Sequence, residues 1–73
     1  MTVAEILRSV SDYIDADNAD VELIDIYCSS YEMTDEIFER NKDVRASSFE
    51  VELPENEDAD VAKITILLRG ELK

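Results

Sequence analysis

The sequence predicts an α+β fold: a three-stranded antiparallel sheet packed against an N-terminal helix, with a short second helix, in the order α-β-α-β-β. Two observations predict it. Apolar residues recur with helical spacing near the start, and two segments near the end alternate apolar and polar residues with period two. A chain of 73 residues has room for a single domain with one small core, so residues 1–73 are expected to form one acidic domain.

Residues 2–16 are predicted to form the first helix. Their apolar side chains occupy one arc about 120° wide, which consists of Val3, Ile6, Leu7, Val10, Tyr13 and Ile14. Thr2 and Glu5 have the spacing of a capping box, in which each side chain bonds the other's backbone N–H. We expect Val10 to face the sheet and Asp12 to face water.

Residues 21–28 are rich in β-branched and aromatic side chains and are predicted to form a strand. Cys28 lies within it, and because the chain has no histidine that could activate the thiol, we expect it to be a buried small hydrophobic residue. Residues 29–41 are predicted to form a short helix. Capping patterns occur at both Ser29 and Thr34, and Arg40 and Lys42 lie where a helix C-terminus favours cations.

Residues 45–53 and 61–69 are predicted to form a β-hairpin with a long acidic tip at residues 54–60. The first strand places Phe49, Val51 and Leu53 on one side and Ser48, Glu50 and Glu52 on the other. The second places Ala62, Ile64, Ile66 and Leu68 opposite Lys63, Thr65, Leu67 and Arg69. The apolar run from Lys63 to Gly70 is a candidate edge strand, which would be at risk of self-pairing.

The net charge of the chain indicates which classes of molecule it can bind. Nineteen acidic residues against seven basic ones give a formal net charge of −12. This charge attracts basic proteins and repels nucleic acid and anionic membranes, while the 45% apolar content argues against acidic disorder. We therefore expect a folded protein, monomeric because of its charge, that does not bind nucleic acid directly.

Several kinds of chemistry lack the residues that they need. A single cysteine without histidine provides neither an internal disulfide nor an ordinary zinc site. Gly70 is the only glycine, which excludes a glycine-rich phosphate loop. An EF-hand loop beginning at Asp15 would place Ala19 and Ile26 at ligand positions, so that motif fails. We expect no catalytic residues, metal or cofactor.

The N-terminal sequence lacks the basic and long apolar regions of a signal peptide, and no stretch approaches the roughly 20 apolar residues of a bilayer span. Together with the single cysteine, this predicts a reducing intracellular compartment.

Carboxylates in the middle segment and on the hairpin are the candidate partner-binding residues. They are Asp35, Glu36, Glu39, Glu50, Glu52, Glu55, Glu57, Asp58 and Asp60. Residues two apart on a strand project to one face about 6.6 Å apart, so Glu50 and Glu52 would form a short carboxylate row. A rigid array of this kind could take the place of DNA phosphates in a basic groove. Acidity that serves only solubility is the alternative explanation.

The two ends of the chain resemble those of a known family. The segments are Met-Thr-Val-Ala-Glu-Ile-Leu-Arg at residues 1–8, followed by Asp12 and Tyr13, and Ile-Thr-Ile-Leu-Leu-Arg-Gly-Glu-Leu-Lys at residues 64–73. They are similar to the termini of a small acidic Cas9-inhibiting anti-CRISPR protein of prophages. The resemblance implies a phage-encoded inhibitor of a nucleic-acid-handling defence enzyme, located in the cytoplasm of a bacterial host. It transfers no contact residue, because the segment from Asp17 to Lys63 does not align.

Two functions are therefore expected from the sequence. The first is an inhibitor that blocks the positively charged nucleic-acid-binding groove of a defence enzyme, such as a CRISPR effector, by DNA mimicry. The second is a non-enzymatic regulatory module that binds a protein through a sheet edge or an apolar surface of Tyr27, Tyr31, Met33 and Phe38, with acidity serving solubility. Their responses to salt differ, because screening weakens charge mimicry and leaves an apolar interface nearly unchanged.

Overall fold

A computed structural model describes residues 1–15, 18–55 and 61–73. Its elements are α1 (Val3–Val10), β1 (Asp20–Ile24), β2 (Ser30–Glu32), α2 (Asp35–Asn41), β3 (Ala46–Glu52) and β4 (Lys63–Leu68). The strands form one four-stranded sheet in the order β2-β1-β4-β3. The predicted α+β class is confirmed.

The sheet consists of two antiparallel hairpins whose inner strands lie side by side. β1 pairs with β2 and β4 with β3 in antiparallel fashion, whereas β1 and β4 run parallel. The predicted three-stranded antiparallel sheet therefore lacks one strand and has one wrong pairing. A hairpin can be inferred from local alternation and a turn, but a parallel pair depends on a crossover that brings distant segments together.

Contrary to the sequence expectation, the run beginning at Lys63 is not an edge strand. β4 is bonded on both sides, and the edges among the described residues are β2 and β3. The N-terminal segment covers part of the β3 side: the Ala46 N–H donates to the Met1 carbonyl at 2.8 Å, and Thr2 forms a bridge with Arg45.

Helix α1 begins as predicted and ends earlier. The Thr2 hydroxyl accepts from the Glu5 N–H and the Glu5 carboxylate accepts from the Thr2 N–H, both at 3.2 Å, which completes the capping box. At the other end, the Ser11 hydroxyl donates to the Arg8 carbonyl at 2.7 Å. Such local side-chain bonds compete with helical ones, and the helix ends at Val10 rather than at residue 16.

The early end of α1 changes the position of Tyr13. This residue was expected in the apolar arc, yet it lies in the turn after the helix and is 60% exposed. Ile14 is partly buried and packs against the core as expected.

Strand β1 ends at Ile24 because Asp25 organises a tight loop. The Asp25 carboxylate accepts from the backbone N–H groups of Tyr27, at 2.9 Å, and Ser29, at 3.1 Å. Cys28 follows in the left-handed region, with φ of 61°, and is exposed. The expectation of a buried strand cysteine is therefore wrong, since a carboxylate that bonds the loop N–H groups ends the ladder before Cys28 is reached.

The segment predicted as one helix from Ser29 divides into a strand and a helix. Residues 30–32 form β2, and α2 starts only after Thr34, whose hydroxyl accepts from the Ile37 N–H at 3.2 Å. Of the two capping patterns in the sequence, the one at Thr34 is used. The three residues of β2 are too few to show a periodic pattern.

Both helices lie against the same face of the sheet. The buried core combines α1 with the inner strands and the first residue of β3: Val3, Ile6 and Val10 meet Val21, Leu23, Ile64, Ile66 and Leu68, together with Ala46. Ile37 and Phe38 of α2 pack against this cluster. One face of the sheet is thereby covered, and neither helix of the described residues packs on the opposite face.

Candidate functional site

The uncovered side of the sheet, here called the open face, is the candidate site. Residues paired across neighbouring strands point to the same face, and successive residues alternate between faces. Since Val21, Leu23, Ile64 and Ile66 point into the core, their strand neighbours point outward. The open face comprises Asp20, Glu22, Ile24, Ser30, Glu32, Ser48, Glu50, Glu52, Lys63, Thr65 and Leu67.

These side chains form three rows across the sheet. The first row is Asp20, Lys63 and Glu52; the second is Glu32, Glu22, Thr65 and Glu50; the third is Ser30, Ile24, Leu67 and Ser48. Among the residues that the structure describes, five carboxylates thus share the face with a single ammonium group. The surface is strongly negative and, being built on hydrogen-bonded strands, it is held in place before any partner binds.

Glu22 occupies the middle of the second row and is the best-anchored carboxylate. It forms an ion pair with Lys63 at 3.2 Å, and it accepts a hydrogen bond from the Ser30 hydroxyl. Its side chain is 27% exposed. Lys63 therefore neutralises one carboxylate and leaves the others uncompensated.

Glu32 lies directly opposite Glu22 in the β1–β2 ladder. Like charges at such positions destabilise a sheet by a few tenths to about 1 kcal/mol. Glu32 is exposed and makes no hydrogen bond or ion pair with another residue that the structure describes. Within the described chain, Glu32 is therefore an uncompensated carboxylate of the open face.

Glu50 and Glu52 lie on the open face of β3, as the two-residue spacing predicts, and both are exposed. Glu55 follows the strand, is exposed, and lines the same groove as Asp20 and Glu52 at one end of the open face. The remaining hairpin carboxylates of the sequence prediction, Glu57, Asp58 and Asp60, lie outside the described residues.

The three α2 carboxylates lie on a different surface. Asp35, Glu36 and Glu39 are exposed, but α2 packs on the covered side of the sheet. Glu36 forms an ion pair with Arg40, and Glu39 forms one with Lys42 at 3.2 Å. The structure therefore does not join them to Glu50 and Glu52 in one site.

Sequence reasoning missed three members of the acidic surface: Asp20, Glu22 and Glu32. The alternation of Asp20, Glu22 and Ile24 with Val21 and Leu23 is the signal that could have placed the first two on one face of a strand. No local signal located Glu32, because β2 is recognisable only through its pairing with β1.

The apolar surface considered as an alternative is dispersed in the structure. Tyr27 lies in the β1–β2 loop with 67% of its surface exposed, and its hydroxyl donates to the Glu71 carboxylate at 2.6 Å. This hydrogen bond raises the pKa of Tyr27. Met33 and Phe38 instead pack against the core, so these residues do not form a common exposed patch with Tyr27.

Within residues 1–15, 18–55 and 61–73, no group of three or more cysteine or acidic side chains is arranged to hold a metal ion. In the same part of the chain, neither helix has the length and apolar content of a membrane-crossing segment. Comparison of the chain with protein-family models, with curated proteins and with solved structures finds no match. The open face is therefore the feature of the molecule from which its function is inferred.

Proposed function

We propose that this protein is a small, non-enzymatic inhibitor whose open face occupies the positively charged nucleic-acid-binding groove of another protein. The observation that carries this proposal is the set of five carboxylates on one sheet face, accompanied, within the described part of the chain, by the single cation of Lys63. A groove that binds nucleic acid is lined with lysine and arginine, and the same side chains would bind this face.

The strand scaffold supports the proposal on energetic grounds. Backbone positions on neighbouring strands are about 4.8 Å apart, and residues on one face of a strand are about 6.6 Å apart. Because the sheet fixes their backbone positions, binding costs less conformational entropy than the same charges on an unstructured acidic segment would. Long-range attraction between the net charge of −12 and a basic groove would also accelerate association.

The resemblance of the chain ends to a Cas9-inhibiting anti-CRISPR protein supports a bacterial defence enzyme as the target, with a CRISPR effector as the first choice. In this proposal the protein acts as a monomer in the host cytoplasm, binds no nucleic acid itself, and excludes DNA or RNA by occupying its site. No cofactor takes part.

The test begins with a bacterial lysate treated with nuclease and passed over the immobilised protein. Duplex DNA is then used to elute the bound proteins, which are identified by mass spectrometry. The proposal predicts that an eluted protein is a nucleic-acid-binding enzyme, and that the purified enzyme loses DNA binding when the inhibitor is added. Failure of duplex DNA to displace any bound protein would contradict it.

Charge-reversed variants identify the surface responsible. Glu50→Lys with Glu52→Lys on the open face should abolish inhibition of the purified enzyme. Asp35→Lys with Glu39→Lys on α2 makes the same change in net charge and should slow association while leaving the dissociation rate nearly unchanged. Both pairs are exposed, so folding should be retained, as measured by circular dichroism.

Salt separates this function from the regulatory module. Association of the parent protein should slow as salt is added. Equal binding in dilute buffer and at about 1 M salt, where the Debye length is about 3 Å, would favour an apolar interaction module whose acidity serves solubility.

A further inference from the structure

The third row of the open face contains an apolar pair. Ile24 of β1 and Leu67 of β4 are register partners in the parallel ladder. Each is only partly buried, and each lies on the opposite side of the sheet from the core residues beside it in sequence. The row continues to Ser30 and Ser48, whose short side chains leave the pair accessible from both sides.

Charge lies immediately next to this pair. One step along the same strands, about 6.6 Å away, is the row that contains Glu22, Glu32 and Glu50. A ligand that covers Ile24 and Leu67 therefore has to place its own polar groups against carboxylates. Nucleic acid and a second copy of this chain, with its charge of −12, are both repelled by such a face.

We infer that the open face docks a basic amphipathic helix of the partner protein, with an aliphatic side chain on Ile24 and Leu67 and lysine or arginine side chains on Glu22, Glu32 and Glu50. This inference rests on the proposed function, because it names the element of the basic partner that meets the open face.

The dimensions of the sheet favour a helix. Four strands about 4.8 Å apart give a face about 14 Å across, which accommodates a helix about 10–12 Å in diameter. A helix presents side chains one turn apart on the same side, separated by about 5.4 Å along its axis, close to the distance between the apolar and acidic rows. The covered face is already packed against α1 and α2, so a partner helix would add the corresponding layer on the other side.

Two synthetic helical peptides of about 18 residues, long enough to cross the sheet, provide the test. Both carry the same lysines on one side. The first has leucines at positions i, i+3 and i+7 beside them, and the second has glutamines there. At about 0.15 M salt, the leucine peptide should bind about tenfold more tightly than the glutamine peptide, as expected when aliphatic surface is buried at both partners.

Variants of the protein locate the contact. Leu67→Ser should remove the preference for the leucine peptide. Leu53→Ser is the matched control: Leu53 is 61% exposed and lines the groove beside the first row, at the opposite end of the open face from Leu67 in the third row. This variant should retain the preference. Backbone amide NMR shifts should change along β1 and β4 when the leucine peptide is added to the parent protein.

Each remaining outcome overturns the inference. Equal, salt-sensitive binding of both peptides would mean that the open face binds through charge alone. That result would overturn the docking of an aliphatic side chain on Ile24 and Leu67 but would leave the proposed inhibitor function intact. Binding of neither peptide, alongside a DNA-displaceable partner, would show that the partner uses another element. A dimer in sedimentation that Leu67→Ser dissociates would identify a second copy as the occupant. Loss of both peptide binding and DNA-displaceable capture would remove the proposed function as well.

Discussion

The side-chain amide of Asn41, which is completely buried, pairs with both backbone groups of Lys73. Its oxygen accepts from the Lys73 N–H at 2.7 Å, and its nitrogen donates to the Lys73 carbonyl at 3.1 Å. The same nitrogen donates to the Ile37 carbonyl at 2.8 Å. One side chain thus connects the end of α2 to the segment that follows β4.

Replacing Asn41 with leucine should destabilise the protein by about 1–3 kcal/mol, because hydrogen-bonded backbone groups lose their partner. Urea unfolding measures the effect. Arg40→Ala is the matched control on the same helix: its ion pair with Glu36 is exposed and should contribute less than about 1 kcal/mol. Similar unfolding midpoints for the two variants would show that the Asn41 contacts do not stabilise the fold.

Val10→Asp should unfold the protein at room temperature or cost about 3 kcal/mol or more, because it places an unpaired charge in the core. Val10 has no exposed surface. Asp12→Ala, two residues further in an exposed turn, should be nearly neutral. Thermal unfolding followed by circular dichroism compares them, and equal melting temperatures would contradict the packing of α1 on the sheet.

Glu32→Gln should stabilise the protein by about 0.2–1 kcal/mol, since it removes a like charge opposite Glu22. The gain should shrink as salt is added. Glu36→Gln serves as the control, because Glu36 is paired with Arg40 and should not gain stability. If the open face binds a basic partner, the stabilised Glu32→Gln variant should also bind that partner more weakly. Unchanged stability of this variant would show that the carboxylates of Glu22 and Glu32 do not repel each other appreciably.

The capping box should produce a pH-dependent contribution to stability. The Thr2 backbone N–H, and then its hydroxyl, lower the pKa of Glu5. Because the pKa is lower in the folded state, this contribution is present above the ordinary pKa of a glutamate and is lost as pH falls through the lowered value. Glu5→Gln should therefore destabilise the protein at pH 7 and have a smaller effect near pH 3, measured by urea unfolding at both values.

Short-range pattern was enough to predict much of this fold. Helical spacing identified Val3, Ile6 and Val10 as core residues, and alternation placed Ile64 and Ile66 on the buried side of a strand. The loop after β1 could not be predicted from propensity, since residues 25–28 look strand-like and the Asp25 carboxylate decides the outcome. Parallel pairing of β1 with β4 was equally inaccessible, because it depends on how two hairpins meet.

The candidate surface was predicted in the same partial way. Local spacing brought Glu50 and Glu52 to one face, which requires only that β3 is a strand. Glu22 and Glu32 join them through the β1–β4 and β1–β2 ladders. No local sequence pattern predicts that these strands lie side by side. The α2 carboxylates show the converse, since their nearness in sequence to the hairpin did not bring them to the same side of the sheet.

The central place of β4 has a consequence for how the protein is made. The ribosome delivers the outer strand β2 and the inner strand β1 first, yet β1 completes its ladder only with residues 63–68. Until those residues emerge from the exit tunnel, Val21 and Leu23 have no neighbouring strand on one side. The apolar face of α1 likewise lacks Ile64, Ile66 and Leu68, which share its core. The sheet therefore closes only after residues 63–68 have left the ribosome, and until then the net negative charge of the chain opposes association through its exposed apolar surface.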